Sequence, residues 1–143
     1  MKEVYGSEET ERIAIELLKY MDDHHSHILA LSGDLGTGKT TLVQVLAKQF
    51  GITSAIQSPT FTILKSYEIS HPRYTHFVHV DAYRITNEDE LIPLRFSEYL
   101  KEENFVCIEW PEQIPHALEH ILQTIAQIEH RGDTREIHVY EKK

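Results

Sequence analysis

Cysteine occurs once in these 143 residues, at Cys107, so no intrachain disulfide can form. Its neighbours Phe105, Val106 and Ile108 are apolar, and a small buried hydrophobe is its expected role. Positive charge is scarce too. Lys and Arg total 14 against 23 Asp and Glu, a formal charge of −9. An acidic surface suits a large direct footprint on nucleic acid poorly, because that needs clustered Lys and Arg. Any nucleic-acid role is therefore expected through a partner. No apolar run approaches the ~18 residues of a membrane span, and no signal-like segment opens the chain. A soluble, cytoplasmic protein with no membrane association is expected. Repeats, low-complexity tracts and linkers are also missing, and the length suits one domain over residues 1–143. The ten histidines are scattered. The densest group, His24-His25-Ser26-His27, has no carboxylate or cysteine spaced to close a metal site, and a solvated loop is expected there.

Against this background one segment stands out. Gly33-Asp34-Leu35-Gly36-Thr37-Gly38-Lys39-Thr40-Thr41 fits G-x-x-x-x-G-K-[ST], the phosphate-binding P-loop. The apolar run Ile28-Leu29-Ala30-Leu31 leads in as a strand, and a helix-like stretch from Thr41 to Lys48 leads out. Glycines let the backbone close around an anion with its N–H groups inward, and the following helix adds the positive end of its dipole. Lys39 is expected to reach the β- and γ-phosphates, and the Thr40 hydroxyl to ligate magnesium. Gly33, Gly36, Thr37, Gly38, Lys39, Thr40 and Thr41 are thus the expected cradle for a nucleotide polyphosphate. Nothing resembles the guanine-reading N-K-x-D, so adenine and hence ATP is favoured.

A P-loop enzyme needs an acid near magnesium, usually at the end of a core strand. Phe77-Val78-His79-Val80 ends in Asp81, and Phe105-Val106-Cys107-Ile108 ends in Glu109. Parallel strands deliver their C-terminal ends to the ligand crevice, so both acids are candidates, one on metal and one positioning water. Spacing does not assign them. Thr60 follows Ser58-Pro59, where NTPases often carry a segment that senses the γ-phosphate. For the lone Trp110, a place in the core is the simpler expectation.

Elsewhere the pattern predicts an amino-terminal helix with Ser7 as its N-cap and Ile13, Leu17, Leu18 and Met21 on one face. Gly51 is placed to end the P-loop helix. Phe61 to Ile69 and Tyr74 to Val80 read as a hairpin turning at Ser70-His71-Pro72-Arg73. Short helices are expected over Asn87–Leu91 and Phe96–Lys101, broken at Pro93. Residues 117–130 stay ambiguous. Ala117, Leu118, Ile121, Leu122, Ile125 and Ile128 show helical spacing, yet Arg131-Gly132-Asp133-Thr134 is a turn and Ile137-His138-Val139-Tyr140 is strand-like.

Four segments together resemble the TsaE family of small bacterial ATPases. They are Gly33 to Thr41, Ser58-Pro59-Thr60-Phe61-Thr62, His79-Val80-Asp81-Ala82-Tyr83-Arg84, and Ile108-Glu109-Trp110-Pro111-Glu112. The resemblance implies an α/β P-loop NTPase sandwich of three layers, with a mostly parallel central sheet and an antiparallel hairpin addition. It tips residues 117–130 toward a hairpin turning near Gly132. It implies a magnesium-dependent ATPase, weak alone, working with TsaB and TsaD to place threonylcarbamoyladenosine in tRNA, with tRNA met only through that complex. By match to the motifs, Thr40 and Glu109 would hold magnesium, Asp81 would be catalytic and Thr60 would be the switch. Trp110 would pack under the site or face a partner. Thr10 and Arg135 would approach the nucleotide.

Two other readings share the P-loop. A small-molecule kinase needs an acceptor pocket and an Arg-bearing lid, for which the chain has little room. A nucleotide-gated assembly module would bind ATP only to set conformation, with incidental hydrolysis.

Overall fold

Strands that must be covered on both faces read as unbroken apolar runs, and Ile28–Ser32 is such a strand. In the computed structural model, which describes residues 1–34, 36–54, 56 and 63–143, it lies at the centre of a seven-stranded sheet. The strands are β1 (Lys2–Tyr5), β2 (Ile28–Ser32), β3 (Leu64–Glu68), β4 (His76–Asp81), β5 (Asn104–Glu109), β6 (Gln123–Arg131) and β7 (Thr134–Lys142). Their spatial order is β1-β7-β6-β2-β5-β4-β3.

The sheet is less parallel than expected. The inner pairs β6–β2, β2–β5 and β5–β4 are parallel, but β1–β7, β7–β6 and β4–β3 are antiparallel. Two of the antiparallel pairs are hairpins, one on each side of a parallel centre, because short connections can join only antiparallel neighbours, and the third is β1 added to the edge of β7.

Helices α1 (Thr10–Asp23) and α2 (Lys39–Gln49) cover one face. Ile13, Leu17 and Met21 of α1 and Leu42 and Leu46 of α2 join Leu29, Leu31, Phe77 and Phe105 in one core. This is the stripe that spacing predicts. The α1 start differs in detail. A single 3-10 turn, Ser7–Glu9, precedes it, with Gly6 rather than Ser7 at the N-cap and its N–H donating to the Glu9 carboxylate at 3.0 Å. The opposite face is covered by short pieces. A 3-10 turn at Glu88–Leu91, the single-turn α3 (Phe96–Tyr99) and residues 110–121 bring Leu91, Phe96, Ile114 and Leu118 onto Ile28, Val78, Val80, Val106 and Ile108. Cys107 is fully buried among the strands, as its neighbours suggested.

The ambiguous carboxyl-terminal stretch is a hairpin, β6 and β7, turning at Gly132-Asp133. Its helical spacing is an accident of burial. β6 packs beside β2, so Thr124, Ile125, Ala126 and Ile128 are all buried and alternation is lost. Among the described residues, no helix is long and apolar enough to cross a membrane.

Candidate functional site

The loop between β2 and α2 closes on itself through its own polar atoms. Gly33 leaves the strand at φ +147° and Gly38 enters the helix at φ +92°. A Cβ on Gly33 would sit 2.5 Å from the Ile128 carbonyl oxygen, so the loop can lie this close to β6 only with glycine. The Thr37 hydroxyl donates to the Asp34 carbonyl at 2.9 Å. Arg135, arriving from β7, donates through Nε to the Thr37 carbonyl at 2.8 Å, and its side chain lies against Gly38. The carboxyl-terminal hairpin therefore buttresses the loop from the side.

Lys39, the first residue of α2, is 6 % exposed. Its ammonium donates to the Gly33 carbonyl and lies 3.6 Å from the centre of the Trp110 ring. Burial pulls its pKa below the ordinary lysine value, while Glu109, Glu112, Asp81 and Asp34 push it back up. Four carboxylates thus act on one ammonium through their charge.

The strand-end acids converge as the parallel register requires. Asp81 and Glu109 are direct neighbours across β4 and β5. Glu109 is 2 % exposed. Its Oε1 accepts from the Thr40 hydroxyl at 3.1 Å, and its Oε2 lies 2.6 Å from His79 Nε2. His79 Nδ1 has no partner among the described residues, and Nε2 donates to the carboxylate, which as an anion only accepts. Asp81 Oδ1 accepts from the Tyr83 N–H at 3.0 Å. Beyond Glu109 the chain turns sharply. Trp110 has φ +60°, its N–H donates to the Leu31 carbonyl at 3.3 Å, and its ring meets Tyr83 at 4.9 Å.

These groups border a hollow of about 370 Å³. Of the residues singled out by sequence, Gly36, Gly38, Lys39, Thr40, Thr41, Asp81, Glu109 and Arg135 line it. Gly33 and Thr37 stand behind the loop, toward β6. Thr10 does not line the hollow; its hydroxyl donates to the Ser7 carbonyl at 2.9 Å. Thr60 lies outside the described residues. Trp110 is not a core residue, since its ring is half-buried and borders the hollow beside Lys39. His79 carried no assigned role in the sequence. The signal was its alternation with Phe77 and Asp81, which puts all three on the α2 side of the sheet. A larger hollow of about 580 Å³ adjoins the carboxyl-terminal hairpin. It holds neither Lys39 nor the strand-end acids, so chemistry rather than size singles out the smaller one.

Thr40 Oγ1 and Glu109 Oε1 are hard oxygen donors placed together at a helix start, which suits magnesium. Among the described residues no three His, Cys, Asp or Glu side chains form a metal cage. Magnesium needs none, because it binds one or two protein groups and completes its shell with phosphate and water.

Comparison with known proteins follows the same lines. The family profile described as "Threonylcarbamoyl adenosine biosynthesis protein TsaE" matches residues 4–137. A "tRNA threonylcarbamoyladenosine biosynthesis protein TsaE" from Synechocystis is 45% identical over 93 residues, covering 62% of this chain and 56% of the relative. The protein of that name from Rickettsia conorii is 37% identical over 119 residues, covering 82% of this chain and 65% of the relative. The one from Aquifex aeolicus is 34% identical over 117 residues and 79% of each chain. This chain thus spans 56% and 65% of the first two relatives' lengths. The crystal structure of Bacillus subtilis YdiB superposes with a TM-score of 0.66 at 29% identity, covering 99% of this chain and 84% of that one.

Proposed function

We propose, from the premise that this chain belongs to the TsaE family of threonylcarbamoyladenosine biosynthesis proteins, that it is a magnesium-dependent ATPase serving that tRNA modification. The observation that carries this reading is the Thr40 hydroxyl held on the Glu109 carboxylate at the mouth of a glycine-rich loop. ATP occupies the hollow with its phosphates against the loop amides of Gly36, Gly38, Thr40 and Thr41, and Lys39 swings to the β- and γ-phosphates. Thr40 and Glu109 hold magnesium, which supplies positive charge against the triphosphate. The chain's own surroundings make that supply necessary, because the carboxylates around Lys39 would otherwise repel a polyanion. Asp81, half-buried at the end of β4, orients water for in-line attack. Thr60 senses the γ-phosphate. Arg135 steadies the loop through Thr37 and borders the nucleotide hollow.

That last placement sets the rate. Among the described residues lining the hollow, the arginine is Arg135, tethered through Nε to the Thr37 carbonyl at the side of the loop. An inserted arginine is worth about 10³–10⁵ in turnover to such enzymes. The isolated protein is therefore slow, and TsaB with TsaD accelerates it as they assemble on it. The acidic chain meets tRNA only through that complex. Phosphate release from ATP, measured with and without TsaB–TsaD, should rise at least tenfold on addition, by a fraction of the full arginine effect. Fast hydrolysis indifferent to both partners would contradict the reading.

A further inference from the structure

We infer that His79 is a positioning residue that makes Glu109 a one-oxygen ligand and so tunes the site to magnesium over calcium. This rests on the reading of the hollow as a magnesium–nucleotide site.

His79 is fully buried on β4, one pleat from Phe77, where an aromatic or aliphatic side chain would pack without loss. Instead the sheet keeps an imidazole there with Nδ1 unpartnered among the described residues. A buried nitrogen left unsatisfied is destabilising, so packing alone does not account for it. What the ring does provide is one short bond, Nε2 to Glu109 Oε2 at 2.6 Å. The register explains the reach. His79 stands across from Cys107, and Glu109 is the next residue along β5 on the same face. The bond occupies one carboxylate oxygen from behind and fixes the plane of the group. Oε1 is the oxygen on Thr40 at the edge of the hollow.

That division has a consequence for metal choice. Calcium takes carboxylates readily with both oxygens in a wide, flexible shell, whereas magnesium demands a compact octahedron of single oxygens. A carboxylate with one oxygen tied back serves the second ion and handicaps the first. Outer-shell partners of this type typically change metal affinity about 10–100-fold when removed.

The test uses the full-length protein and the non-hydrolysable analogue AMPPNP, with binding followed by calorimetry. In His79→Leu, the magnesium concentration for half-maximal AMPPNP binding should rise about tenfold, metal-free binding should be unchanged, and the preference for magnesium over calcium should shrink. His79→Gln, which offers an amide N–H near the position of Nε2, should restore most of both. A folded His79→Leu protein whose magnesium requirement and ion preference match the parent would overturn the role. So would equal losses with and without metal. If His79→Leu does not fold, nitrogen-15 spectra of histidine in the parent protein decide. A hydrogen on Nε2 whose resonance moves when magnesium and AMPPNP are added supports the role, and one that does not move refutes it. A parent protein that binds no AMPPNP at all would instead defeat the nucleotide reading itself.

Discussion

Replacing Lys39 by alanine should weaken ATP binding about a hundredfold, a loss of ~2.7 kcal/mol, while leaving the fold nearly as stable. The two halves of this expectation have separate causes. In the protein alone, Lys39 is buried, and its ammonium is compensated by one carbonyl, one aromatic face and the more distant charges of Glu109, Glu112, Asp81 and Asp34. Its depressed pKa records that incomplete compensation. Removing it sacrifices a hydrogen bond and a cation–π contact but also relieves the cost of a buried charge, and the terms largely cancel. With the triphosphate bound there is no such cancellation, because charge-assisted bonds to phosphate are lost outright. Calorimetric titration with magnesium–ATP and a thermal melt of the same variant check both halves. Unchanged affinity would remove Lys39 from the phosphate site. A collapse of Tm by tens of degrees would make it a structural residue.

Gly33→Ala should be the most damaging single change to the loop, costing about 3 kcal/mol and lowering Tm by roughly 10 °C. Two penalties coincide there. The backbone sits at φ +147°, and the new methyl would lie 2.5 Å from a backbone oxygen of β6, which cannot swing aside as a side chain would. The methyl would also crowd the Thr37 hydroxyl at 3.0 Å, and relief of both contacts must shift the residue whose carbonyl receives Lys39, so nucleotide affinity should fall along with stability. Gly51→Ala supplies the comparison. It has φ +83° but open space around the Cβ, so only conformational strain of ~1 kcal/mol applies. Equal melting temperatures for the two variants would show that the close approach to Ile128 is not a constraint on the protein.

The glycine-rich loop between a strand and a helix, and the two strand-end acids, were legible in the sequence because each rests on local chemistry. Glycine at fixed intervals, an apolar run and an acid at its end need no knowledge of distant residues. The parts that were not legible depend on pairing. β1 has four residues, two of them charged, and it owes its existence to β7, whose Val139 carbonyl receives the amino terminus. β6 lost its alternation because it became an inner strand, and its remaining apolar positions fell at helical spacing. The directions of β3 and β7 follow from hairpin connections, which hydrophobic period does not encode. Trp110 was displaced from the core by a left-handed turn after Glu109 that no residue type announces. His79 is a separate case. Its burial followed from alternation, but its pairing with Glu109 depended on the parallel register of two strands 30 residues apart.

The most direct test of the central claim is a crystal structure of the protein soaked with magnesium and AMPPNP. The phosphates should lie on the amides around Gly36 to Thr41, the Lys39 ammonium should leave the Gly33 carbonyl for them, and Thr40 and Glu109 should hold magnesium. A nucleotide whose phosphates settle elsewhere, such as the larger hollow beside the carboxyl-terminal hairpin, with Lys39 still on Gly33, would contradict it.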